Sequence, residues 1–170
     1  MMQSLFAERR RSRAVRGLRV LASDPEAVFD GLVSAAAAAF DAPIALMSLI
    51  HRERQWIKAS HGIILEDYPR RDSFCTHTLD RAGVMECTDP LGDPRFAALP
   101  GVTGAPHVRY YIGAPLSRLN GVHVGALCVL DIRRRQAASP DQAAYLIGLA
   151  RQASMALEAR LDRLVRRPAA

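Results

Sequence analysis

The sequence has few aromatic residues and no hydrophobic run long enough to cross a membrane. Phe, Trp and Tyr make up 6% of the 170 residues, so leucine, valine, isoleucine and alanine must fill most of the core. A spanning helix needs about 18 consecutive apolar residues, and no segment of the sequence reaches that length. The arginine-rich segment 7–23 is followed at once by Asp24-Pro25-Glu26 rather than by an apolar stretch, unlike an export signal. These absences predict a cytoplasmic protein with one compact domain and no membrane partner.

Cysteine is also scarce, and its spacing argues against disulfides and zinc. Cys75, Cys87 and Cys128 are an odd number, and none of them forms a Cys-x-x-Cys pair. In a cytoplasmic chain this pattern favours reduced thiols. A structural zinc site needs four ligands in recognisable pairs, and Cys75 with His77 is the only close pair. No metal site is therefore predicted.

Positive charge is unevenly distributed along the chain, whose net charge is +6. Residues 1–20 carry +5 and residues 160–167 carry +3, whereas residues 21–159 carry −2. A nucleic-acid-binding domain usually has its basic residues on one face of the folded core. Because the excess lies at the two ends, the charge does not favour nucleic acid. The basic ends are expected to aid solubility or to contact a negatively charged protein.

The order of the predicted helices and strands indicates an α+β domain. Hydrophobic periodicity predicts helices over residues 4–21, 24–40 and 140–167, a short helix over 73–80, and strands over 43–50, 55–60, 83–89, 108–116 and 122–131. Helices and strands do not alternate as they do in a parallel doubly wound fold. The order favours an antiparallel sheet with helices gathered on one face.

Short motifs mark where several of these elements begin and end. The segments "SDPE" (residues 23–26) and "SPDQ" (residues 139–142) fit capping boxes, in which a serine at the helix start is matched by Glu or Gln three residues later. Asp72 or Ser73 is expected to cap the short helix. Asn120-Gly121 predicts a tight turn between the last two strands.

Five motifs give the chain a resemblance to a known family. They are "PIALMSLIHRERQWIKASHGI", "SFCTH", "DPRF", "VTGAPHVRYYIGAPL" and "GALCVLD", in this order between residues 43 and 131. Their order and spacing resemble bacterial GAF domains, in particular those at the front of sensor kinases and cyclic-dinucleotide enzymes. The resemblance covers about residues 10–160. The chain departs from this subgroup at His51-Arg52, where an acidic pair is usual.

The resemblance implies an architecture and a role. It implies a GAF/PAS-like central antiparallel sheet, with N- and C-terminal helices packed on one face and a loop-covered ligand pocket on the other. The chain would then be divided into an arginine-rich helix over 1–22, a GAF domain over 23–160, and a basic helix end and tail over 161–170. It also implies signalling, usually without catalysis. If the chain is complete, its output must be a contact with another protein.

The pair Cys75 and His77 raises the question of thiol chemistry. Residues two apart on a helix point to different sides, so the pair is not a ready-made catalytic dyad. Cys75 resembles a cysteine of the GAF proteins that reduce free methionine sulfoxide. The second cysteine of those enzymes would be expected near "GAPHV", residues 104–108, which contains none. A thiol reductase is therefore the alternative function, and the plainer expectation is that Cys75 is a small packing residue.

No cofactor is predicted. Bilin-binding GAF domains have a histidine directly after the attachment cysteine, whereas Thr76 intervenes here. The cyclic-nucleotide signature of other GAF domains is missing. Haem remains an alternative, because a single axial histidine leaves no spacing signature.

Seven residues are candidates for binding a small-molecule ligand. The pocket is expected between the sheet and the segments 72–80 and 89–107, because so long a loop is often functional. Strand alternation would place His107, Arg109 and Tyr111 on one face, and Val108, Tyr110 and Ile112 on the other. The candidates are Cys75, His77, Asp93, Arg95, His107, Arg109 and Tyr111. The cationic side chains among them, Arg95, His107 and Arg109, would suit an anionic or aromatic ligand. The alternative is that Asp93 and Arg95 simply pair with each other.

The terminal helices predict a homodimer. Leucines and alanines recur every three or four residues from Leu146 to Leu164, and residues 157–164 are expected to extend beyond the sheet. A leucine stripe among arginines is typical of a dimer seam. The sequence thus predicts a sensory, non-enzymatic GAF module that binds a small ligand and signals through a helix bundle to a partner protein. A ligand-free dimerisation scaffold is a further alternative.

Overall fold

The computed structural model of the protein describes residues 2–166. In chain order its elements are α1 (Met2–Gly17), α2 (Ala27–Ala39), β1 (Ile44–His51), β2 (Arg54–His61), β3 (Tyr68–Pro69), α3 (Cys75–Thr78), β4 (Met85–Cys87), α4 (Pro100–Thr103), β5 (Tyr110–Ser117), β6 (His123–Asp131) and α5 (Pro140–Arg166). The strands form one sheet in the order β3-β2-β1-β6-β5-β4, with antiparallel neighbours. The predicted α+β class and antiparallel sheet are confirmed. Residues 167–170 of the predicted tail and Met1 lie outside the described residues.

Both faces of the central sheet are buried under apolar side chains. In β1, Ala45 and Met47 belong to the core cluster on one face, whereas Ile44 and Leu46 belong to the cluster on the other. Alternate side chains of a strand point to opposite faces. A strand that is buried on both faces therefore has the continuous apolar run that the sequence shows at residues 43–50.

Three helices cover one face of the sheet, as expected. α1 contributes Val15 and Leu18 to the core on this side, α2 contributes Phe29 and Val33, and α5 contributes Leu146. All five are fully buried. Full burial of such a side chain contributes about 1.5–3 kcal/mol. The opposite face is left to the short α3, α4 and the loops.

The start of α5 confirms the second predicted capping box. The amide of Gln142 donates to the hydroxyl of Ser139 at 3.1 Å, and the amide of Ser139 donates to Gln142 Oε1 at 3.1 Å. Among the described residues, no helix is both long enough and apolar enough to span a membrane.

The first predicted capping box is wrong. α2 begins at Ala27, and Glu26 in the N-cap position makes no side-chain cap. The two side chains of the predicted box bind Lys58 instead: Nζ donates to Ser23 Oγ at 2.8 Å and to Glu26 Oε1 at 2.9 Å. Arg160 Nε donates to the same Glu26 oxygen at 2.6 Å. Partners distant in sequence thus displace the local cap.

The C-terminal half of α5 packs against its own chain over a greater length than predicted. Leu157, expected at a dimer seam, is 2% exposed and belongs to the helix-side core. Leu161 and Leu164 are half-buried. The reason is that the chain just after β5 lies beside this part of α5, where Arg118 forms an ion pair with Glu158.

The predicted alternation before β5 is also wrong. β5 begins only at Tyr110, and His107 has a φ of 62°, in the left-handed region. Extended alternation therefore does not reach back to His107 and Arg109. Val108 consequently lies in the same core cluster as Tyr111, whereas the prediction placed them on opposite faces.

The predicted short helix is present but shorter than expected, as Cys75–Thr78. Its N-cap position is occupied by Phe74, which makes no side-chain cap, and not by Asp72 or Ser73 as predicted. Ser73 lies one residue earlier, where its Oγ accepts a hydrogen bond from the amide of Thr76 at 3.3 Å. β3 and α4 were not predicted. Both are very short and lie in loops that have turn residues but no clear period.

Candidate functional site

A cavity of about 310 Å³ lies on the sheet face opposite the three long helices. Its volume falls at the lower end of the range for small-molecule sites, and its lining is mostly apolar, as is usual for them. It is lined by Ile44, Leu46, Ile63, Leu65, Glu66, Asp67, Tyr68, Asp72, Phe74, Pro100, Gly101, Ala105, Pro106, Val108 and Leu130. Two larger grooves, of about 450 and 690 Å³, lie beside α5 and α1 and have many charged side chains.

The sheet, α3 and two loops build this cavity. Leu46 of β1 and Leu130 of β6 come from the sheet, and Phe74 comes from the residue before α3. The Phe74 ring stacks on Tyr111 with centroids 5.0 Å apart. Leu65 belongs to the loop between β2 and β3 and is half-buried. The cavity therefore touches the predicted segments 72–80 and 89–107 and also the loop 62–67.

The charged residues at the cavity are acidic. Among the described residues that line it, Glu66, Asp67 and Asp72 are the charged ones, and none is basic. Asp67 is held in place because the amide of Ile57 donates to its Oδ1 at 2.9 Å. The sequence predicts an anionic or aromatic ligand, and this lining is less favourable to an anionic ligand than to a neutral or cationic one.

Sequence reasoning missed the loop that supplies much of this lining. Residues 61–72 have turn residues but no helix or strand period, so the sequence predicts no element there. A usable signal was present, because Ile63, Ile64 and Leu65 form an apolar triplet inside an otherwise polar loop. Two of them line the cavity, whereas Ile64 is 97% exposed.

Two of the seven predicted residues, Cys75 and Tyr111, lie together beneath the cavity. The Tyr111 hydroxyl donates to Cys75 Sγ at 3.4 Å, and Thr78 shares a hydrogen bond with the same hydroxyl at 2.8 Å. Both predicted residues are buried, and neither lines the cavity. Burial raises the pKa of Tyr111, which keeps its hydroxyl protonated.

Asp93 and Arg95 pair with each other, which is the alternative that the sequence left open. Arg95 Nη2 donates to Asp93 Oδ2 at 2.6 Å, and the amide of Arg95 donates to Oδ1 at 2.9 Å. Hydrogen bonds from Arg95 lower the pKa of Asp93 to about 2. The guanidinium also lies over the Phe96 ring, 4.7 Å from its centroid. The pair therefore stabilises its own loop.

Each of the remaining three predicted residues has its own surroundings. His77 packs edge-on against Phe96 at 5.0 Å, and burial lowers its pKa. His107 is exposed. Arg109 Nη1 donates to the carbonyl of Val102 at 3.0 Å. The structure thus does not bring the seven residues together around one cavity, and their part in ligand binding stays a prediction.

The structure supplies Cys75 with a second thiol that the sequence argument did not find. Cys128 of β6 lies with its Sγ 3.7 Å from Cys75 Sγ. It is 53 residues away in the sequence, so no spacing rule indicates the pair. Within residues 2–166 no group of three or more His, Cys, Asp or Glu is placed to hold a metal ion.

Comparisons with known proteins agree with the architecture. A family model described as GAF domain matches residues 24–157. A cyclic di-GMP phosphodiesterase of Pseudomonas aeruginosa is 40% identical over 144 residues, which is 85% of this chain and 24% of that protein. This chain thus spans about a quarter of the length of that relative.

Solved structures with low sequence identity share the fold. The GAF domain of an Acinetobacter phosphoenolpyruvate-protein phosphotransferase has a TM-score of 0.62 at 18% identity, over 94% of each chain. A type II free methionine-R-sulfoxide reductase of Thermoplasma acidophilum has a TM-score of 0.60 at 14% identity, over 78% of this chain and 93% of that one.

Proposed function

We propose that this chain, which belongs to the GAF domain family, is a cytoplasmic sensory module that binds a small molecule in its 310 Å³ cavity and signals to a partner protein. The observation that carries the proposal is an apolar cavity under loops, on the sheet face that the long helices leave free. The relative with cyclic di-GMP phosphodiesterase activity in its name supports a place in signalling.

The lining defines the ligand class that we propose. The apolar side chains suit a hydrophobic body, and Glu66, Asp67 and Asp72 suit a hydrogen-bond donor or a positive charge at the rim. Opposite charges attract more strongly near a low-dielectric wall than in water. The ligand is therefore proposed to be a small hydrophobic molecule, neutral or bearing an amine.

Filling the cavity should abolish ligand binding. In a thermal-shift screen of small hydrophobic amines and neutral analogues, a ligand at 100 times its Kd stabilises the native state by about 2.7 kcal/mol. For a chain of this size that raises the Tm by about 5–10 °C. The shift should be lost in Leu65→Trp, whose indole would occupy the cavity.

Ile64→Trp is the matched control, because the neighbouring Ile64 is 97% exposed and does not line the cavity. It should keep the full shift. Native mass spectrometry of freshly purified protein checks whether a ligand is already present. Equal shifts in both tryptophan variants would place the binding site elsewhere and overturn the proposal.

We propose that the chain is not an enzyme, although the close Cys75–Cys128 pair favours a thiol reductase as the second candidate. Cys75 is 2% exposed and does not line the cavity, so a substrate as large as methionine sulfoxide bound in the cavity would not contact its sulfur. With free methionine sulfoxide and a dithiol reductant, we expect no turnover above background. Robust formation of methionine that is lost in Cys75→Ser would establish the reductase instead.

We also propose that the module is a homodimer that pairs through the outward face of α5. Uncharged residues recur there at alternating spacings of three and four: Tyr145, Gly148, Gln152, Met155 and Ala159. Tyr145 is 50% exposed and Met155 69%. This spacing is that of a coiled-coil seam, and the small residues allow two helices to approach closely. A change in the helix pair would then carry the signal to the partner protein.

A further inference from the structure

Two buried thiols face each other at the centre of the domain, away from the cavity lining. Cys75 lies at the start of α3 and Cys128 in the middle of β6, and their sulfurs are 3.7 Å apart. Both are free thiols, 2% and 0% exposed. Buried cysteines are usually inert packing residues with apolar neighbours. The neighbours of Cys75 are different.

Polar groups converge on the sulfur of Cys75. The hydroxyl of Tyr111 donates to it at 3.4 Å, and the amide Nε2 of Gln55 donates to it at 3.7 Å. Gln55 is fully buried, and Ser73 donates to its Oε1, which fixes the amide with its NH₂ group towards the sulfur. A buried glutamine is costly unless its hydrogen bonds are used. Here they stabilise negative charge on Cys75.

The same surroundings make the two thiols unequal. A hydrogen bond from Cys128, joined by those from Tyr111 and Gln55, lowers the pKa of Cys75 to about 7. The shared hydrogen bond and burial raise the pKa of Cys128. Near neutral pH Cys75 is therefore partly thiolate while Cys128 stays protonated, and only the thiolate is a nucleophile.

We propose that Cys75 and Cys128 form a redox-active dithiol that a small hydroperoxide oxidises to an intramolecular disulfide. The Cys75 thiolate attacks the peroxide oxygen, the O–O bond breaks, and an alcohol or water leaves after taking up a proton. Cys75 is then a sulfenic acid. The sulfur of Cys128 attacks Cys75 Sγ, the S–S bond forms, and the S–O bond breaks with release of water. Two thiols are oxidised by two electrons, and one peroxide is reduced.

Oxidation would also act on the cavity. A disulfide needs the sulfurs about 2.0 Å apart, so Cys75 and β6 must approach each other. Phe74, the neighbour of Cys75, lines the cavity and stacks on Phe96 with centroids 4.7 Å apart. The dithiol would thus couple the redox state to the shape of the cavity. It does not depend on that cavity having a ligand.

The test is titration of the full chain with hydrogen peroxide, followed by alkylation under denaturing conditions and non-reducing mass spectrometry. The expected product has lost two hydrogen atoms, yields a linked Cys75–Cys128 peptide, and is reversed by dithiothreitol. It should form about tenfold faster than any adduct of Cys87, because thiolates react and thiols do not. Burial raises the pKa of Cys87, which is the internal control. The rate should rise with pH through about 7, the pKa of Cys75.

Two variants separate the steps. Cys128→Ser should stop at a single added oxygen on Cys75, trapped by dimedone, and Cys87→Ser should behave like the wild type. The wild-type measurement alone decides the proposal if a variant fails to fold. Oxidation of Cys87 while Cys75 and Cys128 stay reduced would overturn it, as would linkage that appears only after the domain has unfolded.

Discussion

Replacing Glu26 with alanine is expected to lower the free energy of unfolding by about 3 kcal/mol, because it leaves a buried cation without its carboxylate. The cation is Lys58, the one lysine of the sequence, whose side chain is 3% exposed. Its Nζ lies 2.9 Å from Glu26 Oε1, and Arg160 Nε lies 2.6 Å from the same oxygen. Chemical denaturation of the wild type and of Glu26→Ala measures the difference.

A double-mutant cycle separates the ion pair from a general effect of truncation. Lys58→Met removes the buried charge and leaves Glu26 with Arg160, so the double variant with Glu26→Ala should be more stable than Glu26→Ala alone. Asp24→Ala is the matched control, because this exposed carboxylate lies two residues from Glu26 and only its backbone carbonyl binds Lys58. Its effect should stay within about 0.5 kcal/mol. Equal losses in the Asp24 and Glu26 variants would contradict this account.

The same contact predicts how stability depends on pH. Burial works to raise the pKa of Glu26, but hydrogen bonds from Lys58 and Arg160 lower it on balance, below its ordinary value of 4.5. A carboxyl group with a lowered pKa stabilises the folded state above its unfolded pKa, and this contribution is lost as the pH falls through the folded pKa. The difference between wild type and Glu26→Ala should therefore be full at neutral pH and shrink below about pH 4.5.

This ion-pair network also joins the cavity side of the domain to α5. Asp67 lines the cavity and accepts a hydrogen bond from the amide of Ile57. Ile57 precedes Lys58 in β2, and Lys58 is linked through Glu26 to Arg160 of α5. A ligand that displaces the Asp67 loop would act on this chain of contacts.

The core strands and the long helices could be predicted because their signals are local. Alternation and apolar runs marked β1, β2 and β6 within a residue or two, and Ser139 with Gln142 marked the start of α5. The box at Ser23 and Glu26 failed because Lys58, more than 30 residues away, binds both side chains. An ion pair with a residue distant in sequence cannot be recognised from a pattern of four residues.

The candidate site was less predictable for the same reason. The region of the cavity followed from the long loop and the family resemblance, but its lining depends on how the loop 62–67 folds over the sheet. The left-handed φ of His107 ended the alternation on which the predicted polar face depended. No sequence pattern indicates Cys128 as the partner of Cys75, because the order of the strands in the sheet, and not the sequence spacing, places Cys128 beside it.

Replacing Met155 with glutamate is expected to dissociate the proposed dimer. In a two-fold pair the seam residues of the two helices meet, so the substitution would place two carboxylates, one from each chain, within the contact. Met155 is 69% exposed, and its removal should not disturb the core of the single chain. Arg151 and Arg163 lie one helical turn from the seam, and their mutual repulsion is screened by salt. Wild-type association should therefore strengthen with ionic strength.

Light scattering decides between dimer and monomer. The protein is measured at tens of micromolar, a concentration comparable to the dissociation constant of an ordinary dimer. The wild type should have the mass of two chains, and Met155→Glu should have the mass of one with an unchanged circular dichroism spectrum. Val28→Glu is the matched control, because it places the same charge at an exposed apolar residue of a different helix, α2, that is 48% exposed and is not one of the seam residues. It should remain dimeric. A monomeric wild type would remove both the dimer and the route by which the cavity is proposed to signal, because without a second chain there is no helix pair to rearrange.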